Sequence, residues 1–260
     1  NWHTFCLFHY GTFFHTPIQV MNIALLGYGK MGKLIGELAE ERGHQIIAKI
    51  DLENQELRNS LDPKTIDVAI EFSQPEAAIE NIRWAITNGI PVLSGTTGWL
   101  SQLPEIEALT HQHQGTFFYA SNFSIGVNVF FKVNELHAKL MNETSGYQVA
   151  VEEIHHTAKK DAPSGTAITL AEGILKHYSQ LKAWNLVGES PSSPSALPIT
   201  SKRIDPAPGT HHIHYTSAID DLEIIHTAHS RQGFALGAIQ VAEWILEKKG
   251  VLSMDDYLSF

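Results

Sequence analysis

From residue 22 onward the apolar positions fall alternately into short unbroken runs and into helical spacing. Residues 22–26 (NIALL) predict a buried strand, residues 27–32 a glycine turn, residues 33–42 a helix stopped by Gly43, and residues 45–50 a second strand. The rhythm repeats with an apolar strand at 66–72, a helix over 76–87 opened by Pro75, a strand at 91–94, a helix near 103–113 and a strand at 116–120. Strand and helix in strict alternation predict a doubly wound parallel sheet, because each crossover helix buries its apolar stripe on a sheet face.

After Asn122 the rhythm changes. One long amphipathic helix (124–141) leads to a strand (147–154), then a loop and a helix from Ser164 to about Tyr178. Residues 188–198 (GESPSSPSALP) are too rich in serine and proline for a regular element and predict a surface loop. Residues 199–204, 210–219 and 222–230 predict antiparallel strands, with Asp220-Asp221 turning between the last two. A final helix over 233–249, with Phe234, Ile239, Ala242, Ile245 and Leu246 at helical spacing, is expected to pack back on the first domain.

Composition narrows the partners. The chain of 260 residues is 43% hydrophobic and 18% charged, with a net charge of −10, so it lacks the positive field that nucleic-acid phosphates require. An anionic small molecule would need its own local basic pocket. No apolar run approaches the roughly 18 residues that cross a bilayer. The single cysteine, Cys6, cannot form an intrachain disulfide, which fits a reducing compartment such as the cytoplasm. Residues 1–20 lack the basic segment and small-residue cleavage site of a signal peptide and are read as an extension or tag ahead of a natural start at Met21.

Gly27-Tyr28-Gly29-Lys30-Met31-Gly32 is a G-x-G-x-x-G turn between strand and helix, where glycines permit close approach of a pyrophosphate to helix N–H groups. Asp51, at the end of the next strand, can accept hydrogen bonds from a ribose diol and repel a 2′-phosphate, favouring NADH over NADPH. Lys30 or Lys49 could still neutralise that phosphate. Gly95-Thr96-Thr97 after the fourth strand and Ala120-Ser121-Asn122-Phe123 after the fifth lie at strand carboxyl ends, where such sheets hold ligands. The expected architecture is thus α/β. A doubly wound parallel Rossmann-type domain (21–123 and 234–260) binds a dinucleotide, and an α+β domain (124–233) with a mixed or antiparallel sheet serves substrate binding and oligomerisation.

The densest chemistry lies in Glu153-Ile154-His155-His156-Thr157-Ala158-Lys159-Lys160-Asp161-Ala162-Pro163-Ser164-Gly165-Thr166-Ala167. Pro-Ser-Gly-Thr opens a helix whose N–H groups, with the Ser164 and Thr166 hydroxyls, suit a carboxylate, and Lys159 adds a full charge beside it. Histidine is the side chain best suited to proton exchange near neutrality. A metal site at His211, His212 and His214, with His226 and His229, is the competing reading. No cysteine and no H-E-x-x-H helix accompanies those residues, so no metal is expected.

The run His-His-x-x-Lys-x-Asp-Ala-Pro-Ser-Gly-Thr-Ala, with residues 122–128 (NFSIGVN) and Ser230-Arg231, Phe234-Ala235 and Gly237-Ala238, resembles the dihydrodipicolinate (4-hydroxy-tetrahydrodipicolinate) reductase family from Met21 to about Gly250. That resemblance implies NAD(P)H-dependent reduction of a heterocyclic dicarboxylate in the diaminopimelate route to lysine. It implies His155 as proton donor and Lys159 as a second donor or orienting cation. His156, Ser164, Gly165 and Thr166 would hold the substrate carboxylates, with Arg231 at the site edge. Gly27 to Gly32, Asp51, Gly95 to Thr97 and Ala120 to Phe123 would hold the cofactor, in a homotetramer built through the second domain's sheet. Thr157-Ala158 stands where some relatives carry bulkier polar or basic residues. The readings that compete are another two-domain small-metabolite dehydrogenase and a non-catalytic dinucleotide sensor.

Overall fold

The computed structural model of the chain describes residues 19–188 and 193–260. The expectations for residues 1–18, Cys6 included, and for residues 189–192 lie outside them.

β1 (Asn22–Leu26) and β2 (Gln45–Ile50) have the predicted bounds, but α1 (Lys30–Glu41) opens at Lys30 instead of residue 33, with Gly29 as its extended N-cap. Lys30, Met31 and Gly32 therefore form the first helical turn. β3 (Val68–Glu71), α2 (Pro75–Thr87), β4 (Val92–Ser94), α3 (Leu103–Gln112) and β5 (Thr116–Tyr119) continue the alternation.

Then come α4 (Ile125–Asn142), capped by Ser124, β6 (Gln148–His155), α5 (Gly165–Leu175), capped by Ser164, and β7 (Ala183–Leu186). β8 (Ala196–Arg203), β9 (Gly209–Thr216), β10 (Asp221–Ala228), α6 (Gln232–Ile245), β11 (Gly250–Leu252) and α7 (Met254–Leu258) complete the chain.

The first sheet is parallel throughout, in the order β11-β5-β4-β3-β1-β2. Alternate residues of each strand enter different cores. Ile23 and Leu25 pack with Ile35 of α1 and Ala238 and Ile239 of α6, whereas Ala24 and Leu26 pack with Ile79, Ile82 and Ile86 of α2. Both faces being covered, the strands read as unbroken apolar runs. Strand order reverses between β1 and β3, which opens a crevice at the carboxyl ends of the strands.

The last helix does return to this sheet. Arg42 at the end of α1 grips the Glu243 carboxylate of α6 through Nε at 3.1 Å and through one terminal guanidinium nitrogen at 2.8 and 3.1 Å, and His44 Nε2 lies 2.9 Å from the same group. The predicted helix over 233–249 nevertheless ends at Ile245, and residues 250–252 form a sixth strand beside β5.

The second sheet has the order β10-β9-β6-β8-β7 and is mixed. β9 runs antiparallel to β6 and β10 as expected, but β8 pairs parallel to β6, and the unpredicted β7 pairs parallel to β8. β8 also begins inside the predicted surface loop. Pro198 is tolerated because the β6–β8 ladder starts only at Ile199, so its missing N–H breaks no bond to β6. Val149, Val151, Ile199, Ile213 and Tyr215 pack under α4 and α5. The opposite face, with Glu152, His212 and His214, stays half-buried.

Candidate active site

The glycine turn fits a pyrophosphate. Gly27 adopts φ +102°, and a Cβ there would lie 2.2 Å from the Phe72 carbonyl oxygen; a Cβ at Gly32 would lie 2.0 Å from the Gly27 carbonyl oxygen. A Cβ at Gly29 would meet nothing within 4 Å, and no side chain caps α1, so its first-turn N–H groups remain open to an anion.

A pocket of about 90 Å³ adjoins the turn, lined among others by Gly27, Gly29, Asp51 and Ser73. Asp51 Oδ1 accepts the Leu52 N–H at 2.8 Å, and no partner of Oδ2 occurs among the described residues. Lys49 is drawn away from this pocket. Its ammonium lies 5.2 Å from the Tyr28 ring centroid and 3.7 Å from Glu40, and the hydrogen bond to Tyr28 raises its pKa. Lys30 is exposed.

The other predicted cofactor positions divide into two kinds. Thr97, Ser121 and Asn122 line a second, larger cleft. Met31, Ala120 and Phe123 belong to the core, Gly95 abuts the Phe72 ring, and Thr96 is buried with its hydroxyl 3.0 Å from Glu71. Glu71, which the sequence reading missed, is fully buried and accepts from the Ser73 N–H (2.9 Å), the Ser73 hydroxyl, the Ser94 hydroxyl (2.6 Å) and the Thr96 hydroxyl. It fastens the loops after β3 and β4. Burial nevertheless pushes its carboxyl above the usual range, against those hydrogen bonds. A carboxylate ending an apolar strand run was the available signal.

The larger cleft, about 720 Å³, lies between the carboxyl ends of the first sheet and the second domain. Thr97, Ser121 and Asn122 form one side, while His155, His156, Lys159, Ser164, Gly165 and Thr166 form the other, with Arg231 also on the wall. Ser164 Oγ accepts the Ala167 N–H at 3.2 Å as the N-cap of α5, so the first turn of that helix faces the cleft. Lys159 Nζ donates to both Asp161 oxygens at 2.8 Å.

Beneath these residues sits Glu153. Strand alternation puts it on the same face of β6 as His155, and it is fully buried. Its oxygens accept the Ser164 N–H at 3.1 Å each and the Ser201 hydroxyl at 2.7 Å, and Arg203 stands 3.4 Å away. Arg203 also donates to the carbonyls of Lys159 and Asp161, holding the loop that carries Lys159. His155 Nδ1 lies 3.4 Å from Glu153 Oε2, an electrostatic contact that leaves Nδ1 without a hydrogen bond. Burial works to raise the Glu153 carboxyl, but hydrogen bonds from Ser164 and Ser201 and the His155 charge outweigh it and hold it below the usual range.

Burial lowers the His155 pKa, opposed by Glu153 and assisted by Lys159 and Arg203. His211, edge-on to His155 with ring centroids 5.1 Å apart, is pushed down to about 4 by burial and by His155. Its Nε2 lies 3.2 Å from Ser164 Oγ. Glu153, Ser201, Arg203 and His211 were not singled out for this cluster because only the register of β6, β8 and β9 brings them together. The five histidines considered for a metal do not converge, since His211 faces the covered side of the sheet and His212 and His214 the other.

Residues 21–123 match the family model described as "Dihydrodipicolinate reductase, N-terminus", and residues 126–258 match "Dihydrodipicolinate reductase, C-terminus". A 4-hydroxy-tetrahydrodipicolinate reductase of Christiangramia forsetii is 49% identical over 241 residues, spanning 92% of this chain and 98% of the relative. One from Lawsonia intracellularis is 34% identical over 251 residues, spanning 88% and 95%. Among solved structures, dipicolinate-bound dihydrodipicolinate reductase from Paenisporosarcina sp. TG-14 shares the fold with a TM-score of 0.69 at 22% identity, over 92% of this chain and 99% of that one. An amine dehydrogenase from Mycobacterium smegmatis, at 10% identity and a TM-score of 0.57 over 91% and 95%, shares the fold alone.

Proposed function

The chain belongs to the dihydrodipicolinate reductase family, and on that premise we propose that it reduces 4-hydroxy-tetrahydrodipicolinate to tetrahydrodipicolinate with loss of water, on the diaminopimelate route to lysine. It is an NAD(P)H-dependent oxidoreductase. The observation that carries the substrate reading is the cleft in which the His155–Thr166 segment faces Thr97, Ser121 and Asn122.

Residues 21–123 with 234–260 bind the dinucleotide, and residues 124–233 bind substrate. When bound, the nicotinamide supplies the hydride. Gly165 and Thr166 offer N–H groups, and Ser164 and Thr166 hydroxyls, to one carboxylate, and Lys159 and His156 bring positive charge or hydrogen bonds to the other. Two anchored carboxylates fix the ring's orientation, which removes much of the entropic cost of reaction. His155 supplies the proton. Its lowered pKa keeps it neutral in the free protein near pH 7, and a dianion arriving beside it favours the charged form, so it takes up a proton as substrate binds.

Asp51 supports NADH as the preferred cofactor, with a carboxylate oxygen available to a ribose diol and Lys49 engaged on Tyr28 and Glu40. The helix-free face of the second sheet supports a homotetramer joined through it. No helix among the described residues is long and apolar enough to cross a membrane, and the cytoplasm, with its pool of reduced nucleotide, is the proposed site of action.

The test is absorbance of the reduced cofactor with substrate made fresh by a preceding synthase, run with NADH and with NADPH. Cofactor binding without substrate-dependent oxidation would overturn the reading.

A further inference from the structure

We propose that His211 is a positioning residue for substrate: its Nε2–H, held on the Ser164 hydroxyl oxygen, aims that hydroxyl's own hydrogen at a carboxylate bound over the start of α5. The inference rests on the reading of Ser164 as a carboxylate donor and adds the group that orients it. His211 belongs to β9, 47 residues from Ser164, and the pairing of β9 with β6 brings it beneath the cleft. Both residues line the cleft and both are buried, at 5% and 3% exposure.

A neutral imidazole carries one N–H, and its place decides what Ser164 can do. Burial and the neighbouring His155 push the His211 pKa down to about 4, so the ring is neutral near pH 7. Its Nδ1 is enclosed and has no hydrogen-bond partner among the described residues. A proton there would be an orphaned buried donor, which native structures avoid more strictly than an unmatched acceptor. Nε2 instead faces two oxygens, Ser164 Oγ at 3.2 Å and Glu153 Oε2 at 3.7 Å. The proton therefore resides on Nε2.

Ser164 Oγ then accepts twice, from His211 Nε2–H and from the Ala167 N–H at 3.2 Å. A hydroxyl oxygen has two lone pairs, so both are filled and the group is left to donate. Were Nε2 bare, the hydroxyl would donate to the imidazole and be lost to substrate. Glu153 also draws this hydrogen, but its oxygens already take the Ser164 N–H and the Ser201 hydroxyl. An incoming carboxylate brings unfilled lone pairs to the same hydroxyl, beside the open N–H groups of Gly165 and Thr166. A donor aimed before substrate arrives loses less freedom on binding, which is where His211 contributes.

The experiment is calorimetric titration of dipicolinate into the full chain saturated with NADH, with KM and kcat for fresh substrate measured alongside. His211→Leu should weaken dipicolinate binding and raise KM about three- to tenfold, with a smaller change in kcat. His211→Gln, whose amide N–H reaches the place of Nε2, should recover most of that loss. His211→Asn, whose amide reaches only the place of Nδ1, should behave like His211→Leu. In a Ser164→Ala background, His211→Leu should add no further loss, because the hydroxyl it orients is gone. Parental affinity in His211→Leu, equal losses in the Gln and Asn variants, or a full additional loss in the Ser164→Ala background would each overturn the role of His211. Failure of the carboxylate reading itself shows separately, as a parent chain that does not bind dipicolinate or a Ser164→Ala variant that binds it as the parent does.

Discussion

Glu153 accepts the backbone N–H of Ser164 on both carboxylate oxygens at 3.1 Å, across 11 residues of chain. The bond joins the strand that ends in His155 to the N-cap of the helix offered to substrate. The proposed proton donor and the proposed carboxylate site thus both border one buried carboxylate.

Glu153→Gln keeps a hydrogen-bond acceptor for Ser164 and deletes the charge that raises the His155 pKa. A general acid is active below its pKa, so kcat/KM should begin its decline with rising pH at a lower pH than in the parent. Loss of a charge-assisted contact, at about 1.5–3 kcal/mol, corresponds to a fall in kcat/KM of roughly ten- to a hundredfold. A pH profile of kcat/KM checks this, and an unmoved alkaline limb would remove Glu153 from the control of His155.

Lys159 is held by Asp161 at 2.8 Å to both oxygens, so it reaches the cleft already oriented. Lys159→Ala should lower kcat/KM for substrate about ten- to a hundredfold while leaving the cofactor Kd unchanged. Asp161→Asn, which keeps the Lys159 ammonium but loosens its aim, should fall between that variant and the parent. Steady-state kinetics with a separate fluorescence titration of the cofactor decide the matter, and equal losses in both ligands would mean a folding defect instead.

Sequence made visible those elements whose period repeats. β1 lies buried between helices and reads directly as an apolar run, while β2, at the sheet edge, alternates buried and exposed positions over its last residues. β7 and β11 leave most of their positions half-buried or exposed and so give no clear signal, whereas the equally short β3, β4 and β5 are buried almost throughout and read as apolar runs. The parallel direction of β8 is invisible in principle, because alternation records which face is buried and nothing about the neighbour's direction. The same distinction runs through the site. His155, Lys159 and Ser164 stand within one contiguous segment ending in a helix start, whereas Arg203 and His211 reach Glu153 only through the register of three strands.

Glu71 gives a prediction about stability. Burial raises its folded pKa above the unfolded value, so the protonated form is favoured on folding. The corresponding contribution is present in full below the unfolded carboxyl pKa and is lost as pH rises through the raised folded value. Glu71→Gln stays neutral at every pH, so its Tm relative to the parent should rise as pH climbs from the ordinary carboxyl range toward neutrality and above. Thermal unfolding of both proteins across that range is the measurement, and a constant difference would mean that the hydroxyl donors around Glu71 offset its burial.

The proposed preference for NADH rests on one charge. Asp51 Oδ1 is occupied by the Leu52 N–H, so Asp51→Asn preserves the turn while removing the repulsion of a 2′-phosphate. The variant should lose NADH efficiency modestly, because an amide still hydrogen-bonds a ribose hydroxyl, and should gain with NADPH. The ratio of kcat/KM for NADH to that for NADPH should fall about ten- to a hundredfold, the scale of one charge-assisted contact exchanged for a neutral one. Lys49 limits the gain, since its ammonium is committed to Tyr28 and Glu40 and contributes little to a phosphate unless it swings free. Asp51→Asn combined with Glu40→Gln loosens that commitment and should shift the ratio further toward NADPH. If the ratio is the same in parent and single variant, Asp51 does not read the ribose and discrimination lies elsewhere around the pocket.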